Sequence, residues 1–322
     1  MKEDKYADLE DFFNKTRSDL EKKIADTISD KDILSILKGG KRLRPVLAQL
    51  TFKSCTEGKE SEKHYQRSLE GSVSIELAHT ASLVHDDIID GDVKRRGKKA
   101  YYVKVGTKRA ILEGHKMLAK GFTIALDHGK EIADLYVNSW GNVISGEIDE
   151  VEFNKKDIKS SASLTKKQIF EIYDEIIYLK TAVLFSSACK AGAMEANMTG
   201  DILKVFGDYG REVGLAYQLA DDLVDLKNGE MINSVILPIL NRFEKGTILK
   251  GTIKKREIKK KFIKHQDEIK EFFTDEIRRH VKNAEEFINQ SDLIPSSPYK
   301  TLLSDAPSYI INKMLEEINI TI

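Results

Sequence analysis

Two stretches of this 322-residue chain repeat one acidic spacing. Ser82-Leu83-Val84-His85-Asp86-Asp87-Ile88-Ile89-Asp90 is the first and Gln218-Leu219-Ala220-Asp221-Asp222-Leu223-Val224-Asp225 the second, and both read D-D-x-x-D among apolar residues. On a helix, residues four apart stand about 40° apart and about 6 Å along the axis, so Asp86 and Asp90 share a face with Asp87 at its edge. Asp221, Asp222 and Asp225 repeat the arrangement. Carboxylates packed this closely repel one another, and apolar flanks make their ionised forms costlier, so a positive partner is required. Hard divalent cations suit an all-oxygen site, and Mg²⁺ typically binds through one or two carboxylates together with phosphate oxygens. A single cluster is equally readable as an Asp-rich helix start or a solvated acidic edge. Two copies of identical spacing favour the metal. Acid–base hydrolysis by paired carboxylates needs two groups in different environments, not matched triplets. Gly39-Gly40-Lys41-Arg42-Leu43-Arg44-Pro45, Lys94-Arg95-Arg96-Gly97 and Lys180 supply cations of the type that holds phosphate oxygens.

Helices must position these groups. Apolar residues recur at three- and four-residue spacing, as in Ile169, Ile172, Ile176, Leu179 and Val183 and again from Val205 to Leu226, and no sustained period-two segment is bounded by hairpin turns. Breakers stand where helices should end: Lys38-Gly39-Gly40, Gly91, Gly97, Gly106, Gly129, Gly200, Gly229 and Pro295-Ser296-Ser297-Pro298. With only 20 Gly and 5 Pro, turns are scarce. Residues 154–164 read as a polar loop, and the lysine-rich 254–283 as a solvated helix with the stripe Ile258, Phe262, Ile269 and Phe272. No composition shift marks a linker, so the reading is one all-α domain over residues 1–322. The 52 basic and 52 acidic residues cancel, which argues against a nucleic-acid partner. Cys55 and Cys189 form no metal or disulfide framework, no apolar run is long enough to span a membrane, and no secretory leader is visible, so the cytoplasm is the expected location.

Taken together, the motifs resemble the trans-isoprenyl diphosphate synthases, or polyprenyl synthetases. The matching pieces follow the family's order: GGKRLRP (39–45), ELAHTASLVHDDIID (76–90), RRG (95–97), GEIDEVEF (146–153), YLKTAVLF (178–185) and GLAYQLADDLVD (214–225), with an echo from Tyr299 to Lys313. The resemblance implies an all-α isoprenoid-synthase bundle around a central cavity, usually a homodimer, with the two acidic motifs facing each other across the cavity mouth. It implies two or three Mg²⁺ ions bound with diphosphate, Asp86, Asp90 and Asp221 as principal ligands, and Asp87, Asp222 and Asp225 in support. Arg95, Lys180, Thr181 and Gln218 would contact the allylic prenyl diphosphate, with Arg95 and Lys180 acting beside Asp86 and Asp221 in catalysis. Gly40, Lys41, Arg44, His79 and Arg96 would hold isopentenyl diphosphate. The implied reaction is head-to-tail condensation by ionisation, condensation and elimination.

Product length has its own expectation. Ser74, Ala78, Ala81 and Ser82 form a stripe of small residues on the turns before the first motif. By the resemblance, a short-chain synthase would carry a bulky aromatic four or five residues before that motif, where this chain has Ser82 and Ala81. An all-trans product of C20 or longer follows, with Leu77, Tyr136 and Trp140 as candidates to close the tunnel lower down. Two departures stand out. After Asp225 the loop is short, with Lys227 as its one available lysine near the diphosphate, and after Gly114 stand His115 and Lys116, where an acidic and a small or apolar residue are usual. The trimmed loop favours a second reading, a non-catalytic or regulatory subunit of a heteromeric synthase. A terpene cyclase or head-to-head enzyme would need neither a second D-D-x-x-D cluster nor the GGKR segment.

Overall fold

The computed structural model describes residues 6–155, 165–228 and 263–322. The segment after the second cluster from residue 229, together with Ile258 and Phe262, lies outside the described residues. The chain is all-α in these parts. Its helices are α1 (Ala7–Thr27), α2 (Lys31–Leu37), α3 (Leu43–Thr56), α4 (Glu62–Ile89), α5 (Tyr101–Val105), α6 (Thr107–His128), α7 (Lys130–Lys155), α8 (Lys166–Ile177), α9 (Val183–Glu195), α10 (Asp201–Asn228), α11 (Gln266–Asn289) and α12 (Pro298–Leu315). Between α8 and α9 the helix widens into a π-helical turn, Tyr178–Ala182. Among the described residues the one extended element is a two-stranded hairpin, β1 (Lys94–Arg95) against β2 (Lys98–Lys99), which the helical periodicity does not foreshadow. Local chemistry fixes several helix starts. Ser61 accepts from the His64 amide to cap α4, Asp30 accepts from Asp32 and Ile33 to cap α2, and Thr165 and Gln168 form a capping box on α8. No helix among the described residues is long and apolar enough to cross a membrane.

The residues group into two compact units. The first takes residues 1–140, 187–207 and 292–303. Its core gathers Ile24 and Ile28 at the end of α1, Ile33 and Leu37 of α2, Val73, Leu77, Ala81 and Val84 of α4, and Ala110, Met117 and Ile124 of α6. The α4 residues recur at three and four, as an apolar stripe on one helix face must. Lys116, one of the unusual residues after Gly114, has its ammonium on Asp30 and so ties α6 to the cap of α2.

The second unit takes residues 141–186, 208–291 and 304–322. Ile169, Tyr173 and Ile176 of α8 pack with Leu215, Leu219 and Leu223 of α10, Phe273 and Ile277 of α11, and Ile311 and Leu315 of α12. Helix α11 confirms a helical stripe in the lysine-rich region, with Ile269 buried and Phe272 packed against the core. A buried polar group braces α10 to α11. Glu212 accepts from His280 Nδ1 at 2.8 Å and from Asn283 Nδ2 at 3.0 Å. Burial alone would raise the Glu212 carboxyl, but these hydrogen bonds outweigh it and hold the group below its ordinary value. A depressed carboxyl contributes stability that is present above the unfolded value, about 4.3, and is lost as pH falls through the folded one. Glu212→Gln is therefore expected to flatten the acid limb of stability against pH, read as urea midpoints stepped downward from neutrality. Identical limbs in variant and wild type would contradict this.

Candidate active site

In the first unit, the acidic motif occupies the last turn of α4. Asp86 is half-buried and Asp90 is exposed at the C-cap, so the i, i+4 pair lies on the accessible side. Asp87 is not at the edge of that face. One residue further on, a helix turns by about 100°, which carries Asp87 onto the stripe of Leu77 and Val84, where it is 3% exposed. Arg95 Nε donates to Asp87 Oδ1 at 2.7 Å and supplies the charge this burial requires. Burial still holds the Asp87 carboxyl above its usual value, against the pull of Arg95. The hairpin aims that arginine. Arg96 and Gly97 form its two-residue turn with φ of 52° and 72°, and a turn with positive φ at both central positions is the reason for glycine in R-R-G.

Seven residues before Asp86, His79 faces Arg44, whose Nη1 stands 3.0 Å from His79 Nε2. Burial, and then the charges of Arg44, Arg96, Arg95 and Arg42, push His79 well below its ordinary value. An uncharged ring accepts the Arg44 proton at Nε2, so its own proton is on Nδ1. Arginines from α3 and the hairpin thus converge on one neutral histidine, an arrangement suited to an anion. Lys41 is exposed.

Arg42 departs from the anion-ligand reading. It is 2% exposed and fully engaged: Nε with Glu21 at 2.8 Å, Nη1 with Glu76 at 2.6 Å and Nη2 with the Leu37 carbonyl at 2.7 Å. It is a buried clamp joining α1, α2 and α4. Gly40 is required beside it, because a Cβ there would stand 2.4 Å from Arg42 Nη1 and 2.9 Å from Glu76 Oε1.

The small-residue stripe lies partly in the core. Ala78 and Ala81 are buried, Ala81 within the core shared with Ala110 and Met117 of α6, and Ser82 Oγ donates to the His79 carbonyl at 2.8 Å. Tyr136 donates to the Leu118 carbonyl at 3.1 Å. His115 is exposed, its ring centroid 5.2 Å from that of His85.

The second unit repeats the division of labour. On α10, Asp221 and Asp225 are half-buried, while Asp222, three residues after Leu219 on the core stripe, is 7% exposed. Tyr173 donates to Asp222 Oδ2, and Gln218 Nε2 donates to Oδ1 at 3.1 Å. Burial pushes the Asp222 carboxyl up to about 8, aided by Asp221 and Asp225 and opposed by the Tyr173 and Gln218 hydrogen bonds. Gln218 Oε1 in turn accepts from Thr181 Oγ1 at 2.8 Å. Thr181 and Lys180 both sit in the π-helical turn, a feature frequent at functional sites. Lys180 Nζ is held by Glu147 at 3.0 Å and by Glu150. Lys227 is directed to the Ile318 carbonyl near the C-terminus.

Three site groups had no role assigned from sequence. Glu147 and Glu150 lie inside the GEIDEVEF match at i, i+3 spacing, which was signal enough to pair them with a cation. Tyr173 carried no local signal, because its partner is 49 residues away.

The donor set fits a hard cation that arrives with its phosphate. Each cluster offers two carboxylates on its accessible side. Among the described residues no three His, Cys, Asp or Glu side chains close into a metal site by themselves. Mg²⁺ completes its octahedron with phosphate oxygens and water, so two protein carboxylates per cluster suffice.

The polyprenyl synthetase family model matches residues 28–233. A probable mitochondrial hexaprenyl pyrophosphate synthase of Yarrowia lipolytica is 35% identical over 157 residues, 48% of this chain and 34% of that protein. The chain thus matches about a third of that relative's length. A geranylgeranyl diphosphate synthase of Sulfolobus acidocaldarius is 30% identical over 294 residues, 82% of this chain and 84% of the relative. The fold is similar to that of geranylgeranyl pyrophosphate synthetase from Pyrococcus horikoshii, with a TM-score of 0.75 over 96% of this chain and 99% of that one, at 24% identity.

Proposed function

The chain belongs to the polyprenyl synthetase family, and from that premise we propose that it is a Mg²⁺-dependent prenyltransferase condensing isopentenyl diphosphate head-to-tail with an allylic prenyl diphosphate. The product is an all-trans polyprenyl diphosphate of C20 or longer. One observation carries the reading: in both clusters the middle aspartate is buried, held by Arg95 at Asp87 and by Tyr173 and Gln218 at Asp222, while Asp86, Asp221 and Asp225 are half-buried and Asp90 is exposed.

Asp86, Asp90, Asp221 and Asp225 would hold the Mg²⁺ ions. When bound, the metal supplies Lewis-acid neutralisation of the charge on the leaving diphosphate. Arg95 and Lys180 bind the allylic diphosphate, and their carboxylate partners keep each cation at one position before substrate arrives. Thr181 and Gln218 orient that substrate from the π-helical turn and from α10. Arg44, Arg96, Lys41 and neutral His79, with the backbone at Gly40, bind isopentenyl diphosphate so that its double bond is positioned for attack. The proton lost in the elimination is assigned to the departing diphosphate, because the ring nitrogen lone pair of neutral His79 is already taken by Arg44.

The protein is read as a cytoplasmic homodimer. Cys55 and Cys189 are buried free thiols that burial pushes up to about 12, in keeping with a reducing compartment. Val137, Ile144 and Ile148 are exposed along one face of α7, an apolar stripe suited to a second copy.

Product sizing tests the chain-length part of the proposal. Ala81→Phe is expected to shorten the longest product, at a stability cost of about 1–3 kcal/mol because the site is already packed. The variant is assayed below its melting temperature with labelled isopentenyl diphosphate. An unchanged product from folded variant would remove Ala81 from the determinants of length.

A further inference from the structure

We propose that Tyr173 is a positioning residue of the second aspartate cluster, holding Asp222 as the anchor that fixes Lys180 and Thr181 relative to Asp221 and Asp225. The inference rests on the reading of Asp221 and Asp225 as metal ligands. Tyr173 is 1% exposed and lies on α8, which runs directly into the π-helical turn. From there three hydrogen bonds, joined at both ends by helical backbone, form a ring. Tyr173 donates to Asp222 Oδ2, Gln218 donates to Asp222 Oδ1, and Thr181 donates to Gln218 Oε1. Tyr173 and Thr181 are on one continuous helical stretch, and Gln218 and Asp222 are one turn apart on α10. The ring therefore locks the register of the widened turn against the acidic helix.

Each oxygen of Asp222 accepts one hydrogen bond in this ring, and the side chain is 7% exposed, so it is held in the core and away from the accessible side of α10. It follows Asp221 directly on α10, so holding Asp222 fixes the turn of helix that carries Asp221 and Asp225. Partners of this outer kind commonly change metal affinity by about 10- to 100-fold when removed. The hydroxyl is the only part of Tyr173 in the ring, and the aromatic body belongs to the core with Leu215, Leu219 and Ile277. Tyr173→Phe keeps that body and removes the bond.

The test measures Mn²⁺ binding by electron paramagnetic resonance in the presence of inorganic diphosphate, together with thermal melts. Tyr65→Phe is the control, since it deletes another tyrosine hydroxyl bonded to a carboxylate, Asp19 at 3.0 Å, in the first unit. The expected result is about tenfold weaker Mn²⁺ binding in Tyr173→Phe and unchanged binding in Tyr65→Phe. Should Tyr173→Phe melt too low to assay, Thr181→Val breaks the ring at its other end and carries the same expectation. Equal Mn²⁺ affinity in Tyr173→Phe and wild type overturns the inference, as does equal weakening in Tyr65→Phe. Wild type that binds no Mn²⁺ with diphosphate overturns it together with the metal-ligand reading. Weakened binding in a protein that transfers no prenyl group upholds it while refuting the proposed activity.

Discussion

Asp221→Ala is expected to slow prenyl transfer by at least about a hundredfold while the protein melts close to wild type. The size follows from what the carboxylate would do. Removing one preorganised contact that helps neutralise developing leaving-group charge typically costs about 10²–10³ in rate. The stability expectation follows from where it stands. Asp221 is half-buried on the accessible side of α10, four residues from Asp225, and like charges at that spacing destabilise a helix. Alanine is also the better helix former. A folded, inactive variant separates a functional carboxylate from a structural one, and the measurement is incorporation of labelled isopentenyl diphosphate beside a thermal melt. Retention of more than about a tenth of the wild-type rate would contradict the assignment of Asp221.

Arg42→Ala is expected to produce the opposite pattern, with stability lost first. The guanidinium neutralises Glu76, which is 2% exposed, and satisfies the Leu37 carbonyl in the same buried position. Deleting one partner of a buried ion pair leaves the other charge uncompensated, at a cost of about 3–5 kcal/mol. Lysine should not rescue it, because a point charge cannot span three acceptors with the guanidinium's fixed fork. Removing Glu76 as well should recover part of the loss, since the stranded charge goes with it. Urea midpoints of the two single variants and the double variant measure this. A loss below about 1 kcal/mol for Arg42→Ala would mean that water reaches Glu76 and the clamp is not dry.

The contrast between these two residues marks how far the sequence could be read. Helix positions were legible because apolar spacing and caps are local, and the D-D-x-x-D spacing was legible because a helix turns it into a face. The burial of Asp87 and Asp222 was partly legible too: each follows a core residue, Val84 or Leu219, by three positions. What could not be read were the partners that make such burial tolerable. Arg95 reaches Asp87 through a hairpin of two-residue strands, and Tyr173 reaches Asp222 across 49 residues. Nor does composition separate Arg42 from Arg44, two residues apart in one basic motif. Only the acceptors around Arg42, on α1, α2 and α4, distinguish a clamp from a ligand. The π-helical turn at Lys180 likewise has no periodic signature, since one inserted residue in a helix leaves the apolar pattern on either side intact.

Prenyl transfer itself is read out by a condensation assay. The purified protein is incubated with Mg²⁺, radiolabelled isopentenyl diphosphate and, separately, dimethylallyl, geranyl, farnesyl and geranylgeranyl diphosphate, and the dephosphorylated products are sized. The expected result is an all-trans product of C20 or longer that disappears without Mg²⁺ and in both Asp86→Ala and Asp221→Ala. Failure to condense isopentenyl diphosphate with any of the four starters would contradict it.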